Sequence, residues 1–123
     1  MCLILEGSEG IENLDDILSI NNIGNAIDII YIGAYDLSQA LGVPGQVDHP
    51  LVRNTLSQCI RKINERGVAS GGYVAKNLDD LRWMSEMGMQ FITLLPDCTI
   101  IYHAFESYQK AFHEISKSIK RGK

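Results

Sequence analysis

Two acidic residues follow apolar stretches of the chain in positions that could bind a cation. Glu6 ends the run CLILE (residues 2–6), and Asp36 lies just beyond the run IDIIYIG (27–33). Carboxylates at the ends of buried strands must be solvated, hydrogen-bonded or bound to positive charge. If the two strands are neighbours, the acids can share one ion, and oxygen ligands without Cys or His favour Mg2+ or Mn2+.

Each acid also has a purely structural interpretation. Asp36 could cap the short segment DLSQAL (36–41), and Glu6 could simply be solvated beyond its strand. Acids at strand ends are common in α/β proteins, so spacing alone leaves metal binding and capping both open.

Few other residues could carry proton transfer or covalent chemistry. His49 lies on the loop after Asp36, but it precedes Pro50 and is expected to order a helix start rather than to act as a base. Lys76 could form a Schiff base, although AKN (75–77) is typical of an exposed loop. His103 and His113 are expected on the surface of the last helix or at an interface.

The elements that must position these residues alternate in type. The apolar runs CLILE, IDIIYIG, VASGGYV (68–74) and FITLLP (91–96) are nearly continuous, as expected for parallel strands covered on both faces. Each run is followed by a stripe of helical period. The stripes are predicted to begin after a Ser8 cap, after Asp48 and Pro50, after an Asn77 cap, and near Asp97 or Thr99. The predicted order is (βα)4.

The third stripe and the strand after it are rich in methionine. Their spacing favours packing in the core or between helix and sheet over an aromatic or thioether site. The residues concerned are Trp83, Met84, Met87 and Met89.

Repeated βα units form a parallel sheet whose ligand-binding end lies at the carboxyl ends of the strands. Two α/β architectures fit: an open sheet, or half of a (β/α)8 TIM barrel, whose complete form needs about 250 residues. The length of 123 residues does not choose between them, but it predicts a single domain over residues 1–123.

Composition excludes several classes of partner. The formal charge is −4, and the short tail KSIKRGK (117–123) is the main basic segment, which argues against nucleic acid or an anionic membrane. The three cysteines are far apart in sequence and show no CxxC spacing, so neither a disulfide framework nor a zinc site is predicted. We therefore expect a reducing compartment. With no apolar run of membrane-spanning length and no signal-peptide pattern in MCLILEG, we expect a cytoplasmic protein.

Three segments together resemble a known family. LEGSEGIENLDDIL, IYIGAYDLSQALGVPGQVDHP and GGYVAKNLDDLRWMSEMGMQFITLLPDCTII resemble, in this order, the C-terminal half of the HpcH/HpaI family, the class II metal-dependent pyruvate aldolases. The resemblance covers nearly the whole chain and implies the half-barrel. It also implies retro-aldol cleavage of a 4-hydroxy-2-oxo acid to pyruvate and an aldehyde, through a metal-stabilised enolate.

The resemblance assigns roles to residues at the ends of the first two strands. It implies that Glu6 and Asp36 hold a divalent cation (Mg2+, Mn2+ or Co2+), and that Gly33, Ala34 and Tyr35 line the pyruvate pocket together with Asp36. Two positions depart from the family pattern. The family often has Pro where Ala34 stands, and often has a polar residue at the position of Ile4.

The larger departure concerns catalytic groups. The family's base and its pyruvate-binding Arg come from the half of the barrel that this chain does not match, so the catalytic residues here are unknown. The arginines of this chain fall in predicted helices or the tail: Arg53, Arg61, Arg66, Arg82 and Arg121. The main alternative to an enzyme is therefore a non-catalytic partner subunit or remnant that binds the metal and a 2-oxo acid. A free-standing α/β signalling domain explains less of the sequence, because it leaves LGVPGQVDHP without a role.

A half-barrel exposes strand edges and part of its apolar inner face. We therefore expect association with another chain. It could be a homo-oligomer, formed by closing a barrel from two halves or by exchanging the last helix, or a complex with a complementary N-terminal half-barrel.

Overall fold

The computed structural model describes residues 1–20, 22–73 and 77–121 as a parallel sheet covered on one face by helices. The elements run in the order β1 (Cys2–Leu5), α1 (Ser8–Glu12), α2 (Leu14–Leu18), α3 (Ile23–Ala26), β2 (Ile29–Ile32), α4 (Ala34–Ala40), α5 (Pro50–Glu65), β3 (Ala69–Tyr73), α6 (Leu78–Glu86), β4 (Phe91–Thr93) and α7 (Asp97–Arg121). The strands are ordered β1-β2-β3-β4, and all neighbours pair in parallel. The predicted βα alternation and parallel sheet are confirmed.

The core lies between one face of the sheet and the helices. Leu5, Ile30 and Ile32 point into it from β1 and β2, with 5% exposure or less. α5 contributes buried residues at helical spacing, as the sequence predicted, and α6 and the turn before β4 add two methionines. These residues are Val52, Leu56, Cys59, Ile60, Ile63, Met84 and Met89. Trp83 and Met87 pack against this core in part, so the packing role predicted for the methionine-rich stretch is confirmed.

The opposite face of the sheet is partly open. Alternate strand residues point there, and Ile4 and Phe91 are 65% and 42% exposed. Tyr31 crosses this face to Thr93, with 2.8 Å between their hydroxyl oxygens, and meets the Phe91 ring edge to face. Side chains on this inner face therefore contact one another across the strands, although part of its apolar surface remains exposed.

The prediction of one continuous helix after β1 was wrong. Three short helices stand there, and Asn13 both ends α1 and precedes α2, with its side-chain amide donating to the Glu9 carbonyl at 2.8 Å. The predicted cap was also wrong. Ser8 is the first residue of α1, Gly7 occupies the N-cap, and no side chain caps that helix by a hydrogen bond.

The other predicted helix starts are confirmed. The Asn77 side chain accepts hydrogen bonds from the backbone N–H groups of Asp79 and Asp80 at the start of α6. His49 is the N-cap of α5, where its Nδ1 accepts from the Leu51 N–H at 3.2 Å ahead of the favourable Pro50. α7 begins at Asp97.

The three cysteines are free thiols. Cys2 and Cys98 are exposed, whereas Cys59 is buried in the core. Burial raises the pKa of the Cys59 thiol, which keeps it neutral and poorly nucleophilic.

Candidate functional site

The register of β1 and β2 brings the two predicted acids to the same edge of the sheet. Leu5 pairs with Ile32, and the Gly33 N–H donates to the Leu5 carbonyl at 3.1 Å. Glu6 therefore leaves β1 beside the residue that leads from β2 into α4. Asp36 lies in the first turn of α4, three residues further on.

Gly33 is the point on which both carboxylates converge. A Cβ built on Gly33 would lie 3.1 Å from Glu6 Oε2 and 3.4 Å from Asp36 Oδ2. The two oxygens are therefore closer together than the sum of these distances. Oxygen ligands of one Mg2+ or Mn2+ lie about 3 to 4 Å apart, which two exposed side chains can reach by adjusting their rotamers. The pair fits a small hard cation.

The structural interpretation of Asp36 as a cap does not hold. Gly33 is the N-cap of α4, and no side chain caps this helix by a hydrogen bond. An acid in the first turn still interacts favourably with the helix dipole. The Asp36 carboxylate is thus exposed and faces Glu6 rather than closing the end of α4.

The donor set is small. Across residues 1–20, 22–73 and 77–121, no group of three or more His, Cys, Asp or Glu side chains could hold a metal ion. Two carboxylates from the described chain would leave most positions of an octahedral ion to water or to oxygens of a substrate.

The residues predicted to line the pyruvate pocket adjoin this pair. Gly33 is half-buried, Ala34 is the buried first residue of α4, and Tyr35 is 41% exposed. Ile4 lies on the inner face of β1, opposite Tyr31 of β2. The described structure therefore places an apolar, exposed side chain two residues before Glu6, on the side of the sheet that faces away from the helices.

A residue that sequence reasoning did not assign holds the loop behind the site. Ser38 is fully buried; its hydroxyl donates to the Tyr35 carbonyl at 2.5 Å and accepts from the Gly45 N–H at 2.9 Å. It thereby ties the loop of residues 42–49 to the first turns of α4. The signal was present in the DLS motif, where Ser follows Asp36 by two residues.

Arg53 holds the other end of the same loop. Its guanidinium lies 2.9 Å from Asp48 Oδ1 and 3.3 Å from Asp80 Oδ1, and it stacks over the Trp83 ring at 4.2 Å. The sequence correctly placed Arg53 on a helix, but it gave no sign that this helix face meets both the loop and α6.

Of the other candidates, two lie on the last helix, one caps α5 and one lies outside the described residues. His103 and His113 are on the exposed surface of α7, as predicted. His49 has one ring nitrogen engaged in capping α5. Lys76, the residue considered for a Schiff base, lies outside the described residues.

Comparison with known proteins identifies the class. The sequence profile of the HpcH/HpaI aldolase/citrate lyase family matches residues 1–104, and the chain belongs to this family. It is 31% identical to a 4-hydroxy-2-oxo-heptane-1,7-dioate aldolase of Escherichia coli over 99% of this chain and 45% of that protein. It is also 31% identical to a hydroxypyruvate/pyruvate aldolase of Sagittula stellata over 82% of this chain and 39% of that protein.

Solved structures agree on the fold. The HpcH/HpaI aldolase of Desulfitobacterium hafniense DCB-2 superposes with a TM-score of 0.80 and 26% identity, over 92% of this chain and 42% of that one. The chain spans less than half the length of the relatives it matches. The match to less than half of a barrel protein and the four parallel βα units confirm the predicted half-barrel. Of the two architectures that the sequence left open, the half of a TIM barrel is therefore the one observed. In the part of the chain that is described, no helix is long and apolar enough to cross a membrane.

Proposed function

We propose that this chain forms the metal-binding and 2-oxo-acid-binding half of an aldolase-type carbon–carbon lyase. The reaction would be retro-aldol cleavage of a 4-hydroxy-2-oxo acid to pyruvate and an aldehyde. One observation carries the proposal: Glu6 Oε2 and Asp36 Oδ2 both approach the space that a Gly33 side chain would fill. Membership of an aldolase family and the names of two relatives support the reaction class.

Glu6 and Asp36 would hold a divalent cation such as Mg2+ or Mn2+. When bound, such an ion supplies positive charge beside the keto oxygen, where negative charge develops as the C3–C4 bond breaks. The missing side chain at Gly33 leaves space beside the two carboxylates, through which a keto acid could approach the bound ion. The Ala34 side chain is buried in the core, so the backbone of Ala34 and Tyr35 would line the pocket on the α4 side. Ser38 keeps the adjoining loop in place.

A second candidate function is binding without catalysis. In the described residues, the arginines lie on helices or at a helix end, and His49 uses Nδ1 to cap α5. Among the described residues, none of these groups forms a hydrogen bond or ion pair with Glu6 or Asp36. This arrangement favours a subunit that binds metal and 2-oxo acid and receives its proton-transfer group from another polypeptide.

The other polypeptide would cover what the half-barrel leaves open. β1 and β4 each have one neighbouring strand within the described sheet, and Ile4 and Phe91 expose apolar surface on the inner face. Either a second copy of this chain or a complementary half-barrel would satisfy those edges.

Exchange of the pyruvate methyl protons for deuterium separates the two functions. The chain is incubated with pyruvate and Mg2+ in D2O and followed by proton NMR, beside Asp36→Asn and the control Asp16→Asn, an exposed acid at the start of α2. Exchange that is lost in Asp36→Asn and kept in Asp16→Asn supports the lyase. If the folded chain binds metal but catalyses no exchange, it functions as the binding subunit; exchange that is equal in all three chains contradicts the assigned site.

A further inference from the structure

Tyr31 extends along the inner face of the sheet from β2 to β4. Its backbone pairs with Ile4 of β1 and with Gly71 of β3, two residues before Gly33. Its hydroxyl oxygen lies 2.8 Å from Thr93 Oγ1 on β4. The side chain therefore crosses β3 and extends towards the carboxyl end of the sheet, where the two acids lie.

Thr93 lies at the same level of the sheet as the candidate cation site. One row of paired residues runs across all four strands and consists of Leu5, Ile32, Gly72 and Ile92. Glu6, Gly33 and Thr93 each follow directly after a member of this row. Two strand spacings, about 10 Å, separate Thr93 from Gly33, and the Tyr31 side chain spans this interval. Its hydroxyl therefore lies on the β4 side of the acids, close to their level.

The Tyr31 ring is held in place by Phe91 as well as by Thr93. The Phe91 ring meets it edge to face, with 6.4 Å between the ring centroids. Phe91 and Ile29 also pack over Gly71, where an added Cβ would lie 3.1 Å from Phe91 Cδ1 and 3.2 Å from Ile29 Cγ2. The Tyr31 hydroxyl is thus presented from an apolar surface in a fixed position.

The directions of the hydrogen bonds leave the Tyr31 oxygen as an acceptor. Thr93 has one hydroxyl hydrogen and donates it to the Gly72 carbonyl oxygen at 3.2 Å. The Tyr31 O–H is then the donor in its 2.8 Å bond to Thr93. Only lone pairs remain on the Tyr31 oxygen, so a ligand that bonds to it must bring its own O–H or N–H hydrogen.

We propose that Tyr31 binds a hydroxyl group of the substrate, on the part of the molecule that extends from the ion towards β4. The inference rests on the proposed function, because the keto acid is the one held at Glu6 and Asp36. A hydroxyl donates to the Tyr31 oxygen, whereas an alkyl end cannot, and a carboxylate would bring lone pairs against lone pairs. The site therefore selects hydroxylated 2-oxo acids over those that end in a methyl group or a second carboxylate.

Titration of the Mn2+-loaded full chain with two keto acids tests this preference. In 4-hydroxy-2-oxobutanoate a hydroxyl replaces the terminal methyl group of 2-oxopentanoate, and the two molecules have the same number of heavy atoms. Displacement of water from the ion is followed by water proton relaxation, and proton NMR of the same sample detects any cleavage to pyruvate. We expect the wild-type chain to bind the hydroxy acid more tightly.

Tyr31→Phe removes the hydroxyl and keeps the ring. We expect it to weaken binding of the hydroxy acid about 3- to 10-fold, which corresponds to one hydrogen bond, and not to weaken binding of 2-oxopentanoate. The matched control is Tyr108→Phe, which removes the same atom from an exposed tyrosine of α7 and should change neither affinity. Circular dichroism checks that both variants fold.

Thr93→Val tests the direction of the hydrogen bond. Valine has the shape of threonine but accepts no hydrogen bond, so the Tyr31 hydrogen becomes free to donate to a ligand. We expect this variant to bind 2-oxoglutarate, whose far end is a carboxylate, about 3- to 10-fold more tightly than the wild type does. A purely structural role of Thr93 would not produce this gain.

The outcomes separate this inference from the function on which it rests. If the wild-type chain binds Mn2+ but neither keto acid displaces its water, the proposed function fails and the inference fails with it. If both keto acids bind and folded Tyr31→Phe has the same two affinities as the wild type, only the inference is overturned. A preference for the hydroxy acid that is lost in Tyr31→Phe and kept in Tyr108→Phe supports it.

Discussion

At the scale of single residues, the candidate site depends on the absence of a side chain at Gly33. Glu6 and Asp36 come from different elements, and a Cβ on Gly33 would lie within 3.4 Å of a carboxylate oxygen of each. The backbone of Gly33 has φ −77° and ψ 93°, which other residues also adopt. Close approach, and not backbone conformation, is therefore the reason for glycine here.

Replacing Gly33 with alanine should weaken metal binding while the fold persists. The new Cβ would stand 3.1 Å from both Cβ and Oε2 of Glu6, so the carboxylate has to move. We expect Mn2+ affinity to fall by about 10-fold or more, as is usual when the support of a ligand is disturbed. The matched control is Gly7→Ala, where a Cβ meets nothing within 4 Å. Unchanged affinity in folded Gly33→Ala, measured by Mn2+ titration, would contradict this role.

At the scale of elements, the loop of residues 42–49 is fixed at both ends by side chains. Ser38 bonds it to α4, and Arg53 joins Asp48 of the loop to Asp80 of α6. The Asp80 side chain is only 12% exposed, so its charge needs this partner. The loop that follows Asp36 is therefore part of the packed structure.

Replacing Arg53 with leucine should destabilise the chain through Asp80. The substitution leaves a nearly buried carboxylate without the guanidinium and removes the stacking on Trp83. We expect the free energy of unfolding in urea to fall by about 1 to 3 kcal/mol. Arg61→Leu on the exposed face of α5 is the control and should change it by about 0.5 kcal/mol or less. Equal effects of the two substitutions would show that the Arg53 cluster contributes no special stability.

Much of the fold could be predicted from the sequence because parallel strands leave an unambiguous pattern. Nearly continuous apolar runs gave the four strands, although the observed strands are shorter at most ends. The region after β1 was predicted as one helix because Ile11, Leu14, Ile17 and Leu18 have helical spacing. Asn13, whose side chain bonds the backbone of the preceding turn, divides that stripe.

The sequence located the two candidate acids, but it did not reveal the residues that hold the neighbouring loop. Strand ends and motifs pointed to Glu6 and Asp36, and the register of β1 and β2 brings them to the same edge of the sheet. Ser38 and Arg53 were not singled out, since their partners lie on a loop and on another helix. Contacts of this kind join residues at no regular interval in the sequence, so no periodic pattern reveals them.

At the scale of the whole molecule, the described structure is a half-barrel with open edges. β1 and β4 each pair on one side, and the chain matches less than half the length of its relatives. Strand edges of this kind invite pairing with another chain. We therefore expect β1 and β4 to be the places where another polypeptide would pair.

Amide hydrogen exchange should reveal those edges. In dilute protein, we expect the outward-facing amides of β1 and β4 to exchange much faster than the amides of β2, which lies between two strands. The amides of β1 and β4 should exchange more slowly when a second polypeptide pairs with these strands. NMR measures the exchange rate of each amide at a series of protein concentrations. Equal protection of β1 and β2 at the lowest concentration would contradict an open half-barrel.

In a Mn2+ titration followed by EPR, we expect one bound Mn2+ ion per chain, with its affinity reduced at least about 10-fold in both Glu6→Gln and Asp36→Asn and unchanged in Asp16→Asn. Each variant is first checked for a folded core by circular dichroism. Affinity that is the same in the wild type and in both site variants would contradict a shared cation site at Glu6 and Asp36.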